Sequence, residues 1–214
     1  MKIIERVSNW ICGVKINYHL IIPLSLKELS ALNRFSSSLD LLTIADIKLN
    51  DIANTNRVAS GYLWDAGFSG VIVNPFVGLK GGLDVVFEDA KALGKGVITL
   101  AYMSHPGADE GYGIELKDGE LLSDLFIQKA NFWGADGVIL GSTRPERIRI
   151  SRQSLGREIK ILCPGSGAQG GDPLKALESG ADYLIFGRYI VDSPNQVEAV
   201  KQVYQKLLAF EARN

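Results

Sequence analysis

Seven short runs of apolar, largely β-branched residues recur along the chain, at 11–16, 41–45, 70–73, 97–101, 137–140, 159–163 and 183–186. Runs that are apolar at consecutive positions, rather than at alternate ones, fit strands buried on both faces of a parallel sheet. Between them, apolar residues recur at helical spacing, predicting helices near 26–35, 55–66, 83–93, 120–133, 145–155, 172–179 and 196–209. Local signals agree with several of these. Ser25 followed three residues later by Glu28 predicts a capping box, and Pro145 and Pro173 suit a first helical turn. Gly67, Gly94, Gly134 and Gly180 stand where helices should stop.

Strict alternation of strand and helix leaves two architectures, an open doubly wound sheet or a (β/α)8 barrel. The Gly-x-Gly-x-x-Gly turn of a dinucleotide fold is absent after the first strand, where Val14-Lys15-Ile16-Asn17 stands instead. The polar residues cluster at the carboxyl ends of the predicted strands: Lys15, Asp46, Lys48, Asn74, Ser104, the 165–171 loop and Arg188. Polar residues converging on one mouth from many strands are the active-face pattern of a barrel. A barrel needs eight strands, and seven are counted. The opening segment, 1–10, reads as the helix that should follow a first strand. The expectation is an α/β fold, a TIM (β/α)8 barrel lacking its first β-strand in this chain, with residues 1–214 forming one domain.

Composition narrows the partners. Lys plus Arg is 23 and Asp plus Glu is 24, for a net charge of −1, which argues against a polybasic nucleic-acid binder. No stretch approaches the roughly 20 apolar residues of a membrane span. Lys2, Glu5 and Arg6 place charge where a signal peptide needs an apolar run. Cys12 and Cys163 lie in apolar strand-like segments and offer no disulfide framework. A cytoplasmic protein is expected, with no nucleic-acid or membrane partner.

Three elements carry candidate chemistry. In Asp46-Ile47-Lys48-Leu49-Asn50-Asp51-Ile52, residues two apart on an extended strand share a face, so Asp46 and Lys48 point together into the mouth. Lys15 reaches the same place from another strand, and Asp51 joins if the following turn delivers it. The resulting lysine–aspartate array is either catalytic or a structural ion-pair network. The second element is Pro164-Gly165-Ser166-Gly167-Ala168-Gln169-Gly170-Gly171-Asp172-Pro173, followed later by Phe186-Gly187-Arg188. Glycines let backbone amides approach an anion, and the following helix start adds its dipole, so a phosphate site is favoured over a plain turn. The third is Met103-Ser104-His105-Pro106-Gly107, where Ser104 either reads a polar ring edge or forms a turn. His19 and His105 have no acidic or cysteine partner at ligand spacing, so no metal is expected. The charge-rich 142–149 segment reads as a capped, solvated helix start.

These motifs resemble those of the archaeal-type orotidine 5′-phosphate decarboxylase family. Asp46, Lys48 and Asp51 match its Asp-x-Lys-x-x-Asp signature. Met103–Gly107, Ser142–Arg147 and Pro164–Pro173 match three further motifs in the family's order, and the likeness runs from Ile11 to the C-terminus. The resemblance implies decarboxylation of orotidine 5′-phosphate to UMP and CO2, the last step of pyrimidine biosynthesis, without a cofactor. It implies Lys48 as proton donor, Asp46 against the scissile carboxylate, and Lys15 holding Asp46 and the ribose hydroxyls. Asp51 would cross a homodimer interface into the neighbour's site, with Ile52 and Thr55 beside it. Ser104 would read the pyrimidine edge. Pro164, Gly165, Gly167, Gln169, Gly170, Gly187 and Arg188 would form the phosphate grip. Family members open with a strand ending in a ribose-binding aspartate, and neither is found here. Two alternatives stay open: a Mg²⁺-dependent sugar-phosphate decarboxylase or aldolase, and a non-catalytic nucleotide-phosphate-binding barrel.

Overall fold

All seven predicted strands form, and they lie side by side in chain order as one curled parallel sheet, a half-barrel. The computed structural model describes residues 1–167 and 170–212. The strands are β1 (Gly13–Asn17), β2 (Leu42–Leu49), β3 (Gly70–Val73), β4 (Gly96–Tyr102), β5 (Gly137–Leu140), β6 (Lys160–Pro164) and β7 (Tyr183–Ile185). The helices are α1 (Lys2–Val7), α2 (Tyr18–Ile21), α3 (Leu26–Ser37), α4 (Ala53–Asp65), α5 (Asp84–Leu93) and α6 (Asp109–Tyr112). They continue with α7 (Leu122–Trp133), α8 (Pro145–Leu155), α9 (Pro173–Glu178), α10 (Arg188–Val191) and α11 (Gln196–Glu211). Short helices α2, α6 and α10 carry too few residues for a periodic signal and are absent from the sequence reading.

Side-chain alternation builds two layers of core. Ile72, Ile98, Leu100, Ile139 and Leu162 pack together inside the curve of the sheet. Their neighbours Val71 and Val73 on β3, Val138 and Leu140 on β5, and Ile161 and Cys163 on β6 turn outward to the helices. Both faces are therefore dry, which is why these strands read as unbroken apolar runs. Towards the ends of the sheet this fails. β1 and β7 are mostly half-buried or exposed, whereas every residue of β3 and β5 is buried. Among the described residues no strand pairs with the outer edge of β1 or β7. A separate cluster of Val7, Ile190 and Val200, with Trp10, Ile11 and Phe186 against it, joins α1 to α10 and α11.

The amino ends of the strands share a repeated device. Ser69, Asp136 and Asp182 immediately precede β3, β5 and β7. Each donates its own N–H to the carbonyl of Thr43, Val97 or Ile161, at 2.8, 2.9 and 2.9 Å. The side-chain oxygen of each then accepts the N–H of that same residue, at 3.1, 2.7 and 2.7 Å. Arg152 donates to the Asp182 carboxylate and to the carbonyls of Gly180 and Ile159, tying α8 under this end.

Two local expectations need correction. The second strand, expected at 41–45, continues to Leu49, so Asp46 and Lys48 lie within it rather than beyond it. Between Ala45 and Leu49, β2 takes four steps while β3 takes two, from Val71 to Val73, and this bulge keeps the strand paired across charged residues. The helix expected at 55–66 begins at Ala53, which places Thr55 inside its first turn. The capping box at Ser25 and Glu28 is present, and Gly94 and Gly134 end α5 and α7 in the left-handed conformation.

Candidate active site

Register sets the core of the site. β1 and β2 align Lys15 with Ile44 and Asn17 with Asp46, so Lys15, Asn17 and Asp46 reach one face at the carboxyl ends. Lys15 Nζ donates to Asp46 Oδ2 and to Asn17 Oδ1. Lys48 Nζ donates to Asp46 Oδ1 at 2.7 Å. Each carboxylate oxygen thus accepts from a different ammonium. Side-chain exposure rises from 7% at Asp46 through 13% at Lys15 to 35% at Lys48, so the carboxylate is innermost and Lys48 faces the mouth.

The backbone at Lys48 is not extended. Its φ of 50° lies in the left-handed region, which costs a non-glycine residue roughly 1–2 kcal/mol. The bulge and this turn together re-aim the Lys48 side chain while the strand carries on. Burial alone would raise the Asp46 carboxyl. The charges of Lys15 and Lys48, with their hydrogen bonds, outweigh burial and hold it below the usual carboxylate range. Burial pulls the Lys15 ammonium down from its ordinary value; Asp46 opposes that pull and Lys48 adds to it. One carboxylate between two lysines leaves positive charge for an anion to meet.

Asp51 does not join this array within its own chain. It is exposed just past β2, where its Oδ1 accepts the Ile52 N–H at 2.7 Å, and it makes no ion pair among the described residues. Ile52 and Thr55 are exposed beside it, on the same side as Val58 and Tyr62 of α4.

The glycine-rich segment leaves β6 at Pro164. Gly165, Gly167 and Gly170 have φ of 95°, 82° and 82°, a conformation that favours glycine. Gly167 N–H donates to the Gly171 carbonyl and Gly171 N–H to the Gly165 carbonyl, which closes the loop on itself. A Cβ on Gly171 would fall 2.1 Å from Ser142 Oγ, so only glycine fits there. Gln169 lies outside the described residues. Gly187 caps α10, whose first residue is Arg188. Tyr189 of α10 packs where a Cβ on Gly167 would come within 3.1 Å, which brings Arg188's helix against the loop. Arg188 is exposed and has no carboxylate partner among the described residues. The start of the following helix is partly occupied from within the chain. Asp172 accepts the N–H groups of Leu174 and Lys175, so the start of α9 already holds a carboxylate.

Ser104 is half-buried in the loop after β4. Tyr102 and Arg144 both donate to Asp109, which pins that loop to the one after β5. The 142–149 segment is also corrected: α8 has no side-chain cap, because Ser142 is buried and donates to the Pro164 carbonyl at 3.0 Å. Among the described residues no three His, Cys, Asp or Glu side chains gather as metal ligands, and no helix is long and apolar enough to cross a membrane. Sequence reading missed Asn17, which accepts from Lys15, and Asn56, whose partners are distant in sequence or belong to the backbone.

Residues 1–203 match the family model described as orotidine 5′-phosphate decarboxylase / HUMPS family. The chain belongs to this family. A Pyrococcus furiosus orotidine 5′-phosphate decarboxylase is 41% identical over 213 residues, covering 100% of this chain and 93% of that protein. The crystal structure of the Pyrococcus horikoshii OT3 enzyme is similar at 40% identity and TM-score 0.78, covering 96% and 91% of the two chains. That of the Methanocaldococcus jannaschii enzyme, complexed with the inhibitor BMP, is similar at 31% identity and TM-score 0.82, again covering 96% and 91%.

Proposed function

We propose that the protein decarboxylates orotidine 5′-phosphate to UMP and CO2 at the mouth formed by β1 and β2. The observation that carries this reading is the buried Asp46 carboxylate held between Lys15 and Lys48. In the proposed reaction the substrate carboxylate lies beside Asp46. The C6–carboxylate bond breaks, CO2 departs, and the electron pair left on C6 takes a proton from the Lys48 ammonium. Lys48 is then reprotonated from water. Charge preorganised where the carbanion develops is usually the largest catalytic contribution, and Lys48 supplies it without a pyridoxal, thiamine or metal sink. Lys15 holds Asp46 and the ribose hydroxyls, and Ser104 reads the pyrimidine edge. Pro164, Gly165, Gly167, Gln169, Gly170, Gly187 and Arg188 grip the phosphate, remote binding that can be used for orientation.

The active unit in this reading is a two-fold dimer. Asp51 of each chain, flanked by Ile52 and Thr55, completes the partner's array. Support comes from its exposure, its lack of an ion pair among the described residues, and the exposed apolar side chains around it. In this reading one further parallel strand, ending in a ribose-binding aspartate, would lie between the outer edges of β1 and β7, which no strand pairs among the described residues. Adding such a strand upstream of Met1 should raise both stability and UMP affinity; unchanged values for both contradict it.

The test of the reaction is the absorbance change as orotidine 5′-phosphate becomes UMP, followed in EDTA. Turnover in chelator is expected. Activity lost with EDTA and restored by Mg²⁺ would favour the metal-dependent alternative, and tight UMP binding without turnover the non-catalytic one.

A further inference from the structure

We propose that Asn56 is a positioning residue for Asp51. Asn56 sits early in α4 with none of its surface exposed, although its carboxamide is fully polar. Its Oδ1 accepts the Asp51 N–H at 3.1 Å, and its Nδ2 donates to the Asp51 carbonyl at 2.5 Å. The same Nδ2 donates to the Gly82 carbonyl at 2.8 Å. One side chain therefore holds both backbone groups of Asp51, as a neighbouring strand would, and ties them to the segment between β3 and α5. Gly82 is itself seated, since a Cβ there would touch Val77 at 3.5 Å.

Among the described residues the Asp51 carboxylate has the next N–H, that of Ile52, as its partner. Its direction is thus set by the backbone, and the backbone is set by Asn56. An apolar residue at 56 would leave three backbone groups without partners and let the turn after β2 pivot. This inference rests on the reading of Asp51 as a member of the array, and it adds the group that aims it. Asn56 itself touches no reacting atom.

A double-mutant comparison tests it, using kcat/KM for orotidine 5′-phosphate on Asn56→Ala, Asp51→Ala and the double variant, with unfolding midpoints measured beside them. A displacement of about 1 Å at a reacting centre costs about 100-fold, and Asn56→Ala should lose on that order. In the Asp51→Ala background the same change should cost nothing further. Losses that multiply would overturn the proposal, as would an Asn56→Ala protein with wild-type kcat/KM. Full activity in Asp51→Ala would instead remove the reading of Asp51, and the inference with it. Asn56→Asp keeps the acceptor for the Asp51 N–H but sets a carboxylate oxygen against the Asp51 and Gly82 carbonyls in place of the donor; it should lose at least as much as Asn56→Ala without opening a cavity, and it serves if the alanine variant does not fold.

Subunit mixing separates aiming from general support. Asp51→Ala mixed with Lys48→Ala should regain activity towards about a quarter of wild type, because a two-fold heterodimer rebuilds one site. Asn56→Ala mixed with Lys48→Ala should regain activity in the same way, whereas Asn56→Ala mixed with Asp51→Ala should not. If only the Asp51 mixture recovers, Asn56 supports its own barrel and the proposal fails. If neither mixture recovers after confirmed exchange, the shared site is wrong, and the double-mutant comparison alone decides for Asn56.

Discussion

At the two ends of the same sheet, aspartates do opposite work. Asp136 and Asp182, at the amino ends, accept backbone N–H groups of the neighbouring strand, and each pairs its own N–H with the same residue. Asp46, at the carboxyl end, accepts from two lysine side chains and is held there by a bulged strand with a left-handed Lys48. The first arrangement pairs each aspartate with one residue of the neighbouring strand through both backbone and side chain, and so stabilises the sheet. The second gathers charge at an open mouth and accepts backbone strain to do so, as the proposed chemistry requires. The contrast teaches that the environment of a carboxylate, rather than its presence at a strand end, separates a role in holding the sheet from the catalytic role proposed for Asp46.

Three changes should break that contrast in measurable ways. The largest effect belongs to Lys48→Ala, which should lower kcat by about 10⁴-fold or more while UMP still binds. A loss confined to KM would mean that Lys48 contributes only uniform binding, and the proton-donor role would be wrong. Next comes Asp136→Ala at the other end. It leaves the Val97 N–H without its side-chain partner and should cost about 1–3 kcal/mol of stability in urea, with kcat of the folded enzyme retained. A fall in kcat at undiminished stability would place Asp136 in the chemistry instead.

The smallest effect is one of pH. The folded-state pKa of Asp46 is depressed, so its contribution to stability is present above the unfolded carboxyl value of about 3.9 and is lost as pH falls through the lower folded value. Unfolding midpoints of wild type and Asp46→Asn should therefore converge as pH falls below about 4. Curves that stay parallel through that range would contradict the ion-pair assignment.

Much of this was legible before the structure, and for physical reasons. Strands dry on both faces leave continuous apolar runs, so all seven announced themselves. β2 was read short because such a run ends at its first charge, and a bulge that carries pairing past Asp46 and Lys48 leaves no apolar trace. Spacing predicts that Asp46 and Lys48 meet, and they do, but through a bulge and a left-handed Lys48 rather than by the alternation of an extended strand. The glycine-rich loop showed in composition, whereas the Asp172 carboxylate that takes the first N–H groups of α9 did not. Asn56 carried no signal at all. Its meaning depends on Gly82, 26 residues away, and an asparagine in a first helical turn otherwise looks like a solvated residue.

The separation of the two ends is tested most directly by combining Lys48→Ala with Asp136→Ala and measuring unfolding free energy and kcat on the same preparation. Independent ends predict the stability loss of Asp136→Ala added to whatever small change Lys48→Ala brings, within about 0.5 kcal/mol, and the kcat of Lys48→Ala unchanged by the second substitution. A coupling well above that, or a kcat that falls further when Asp136 is removed, would contradict the division of labour between the two ends of the sheet.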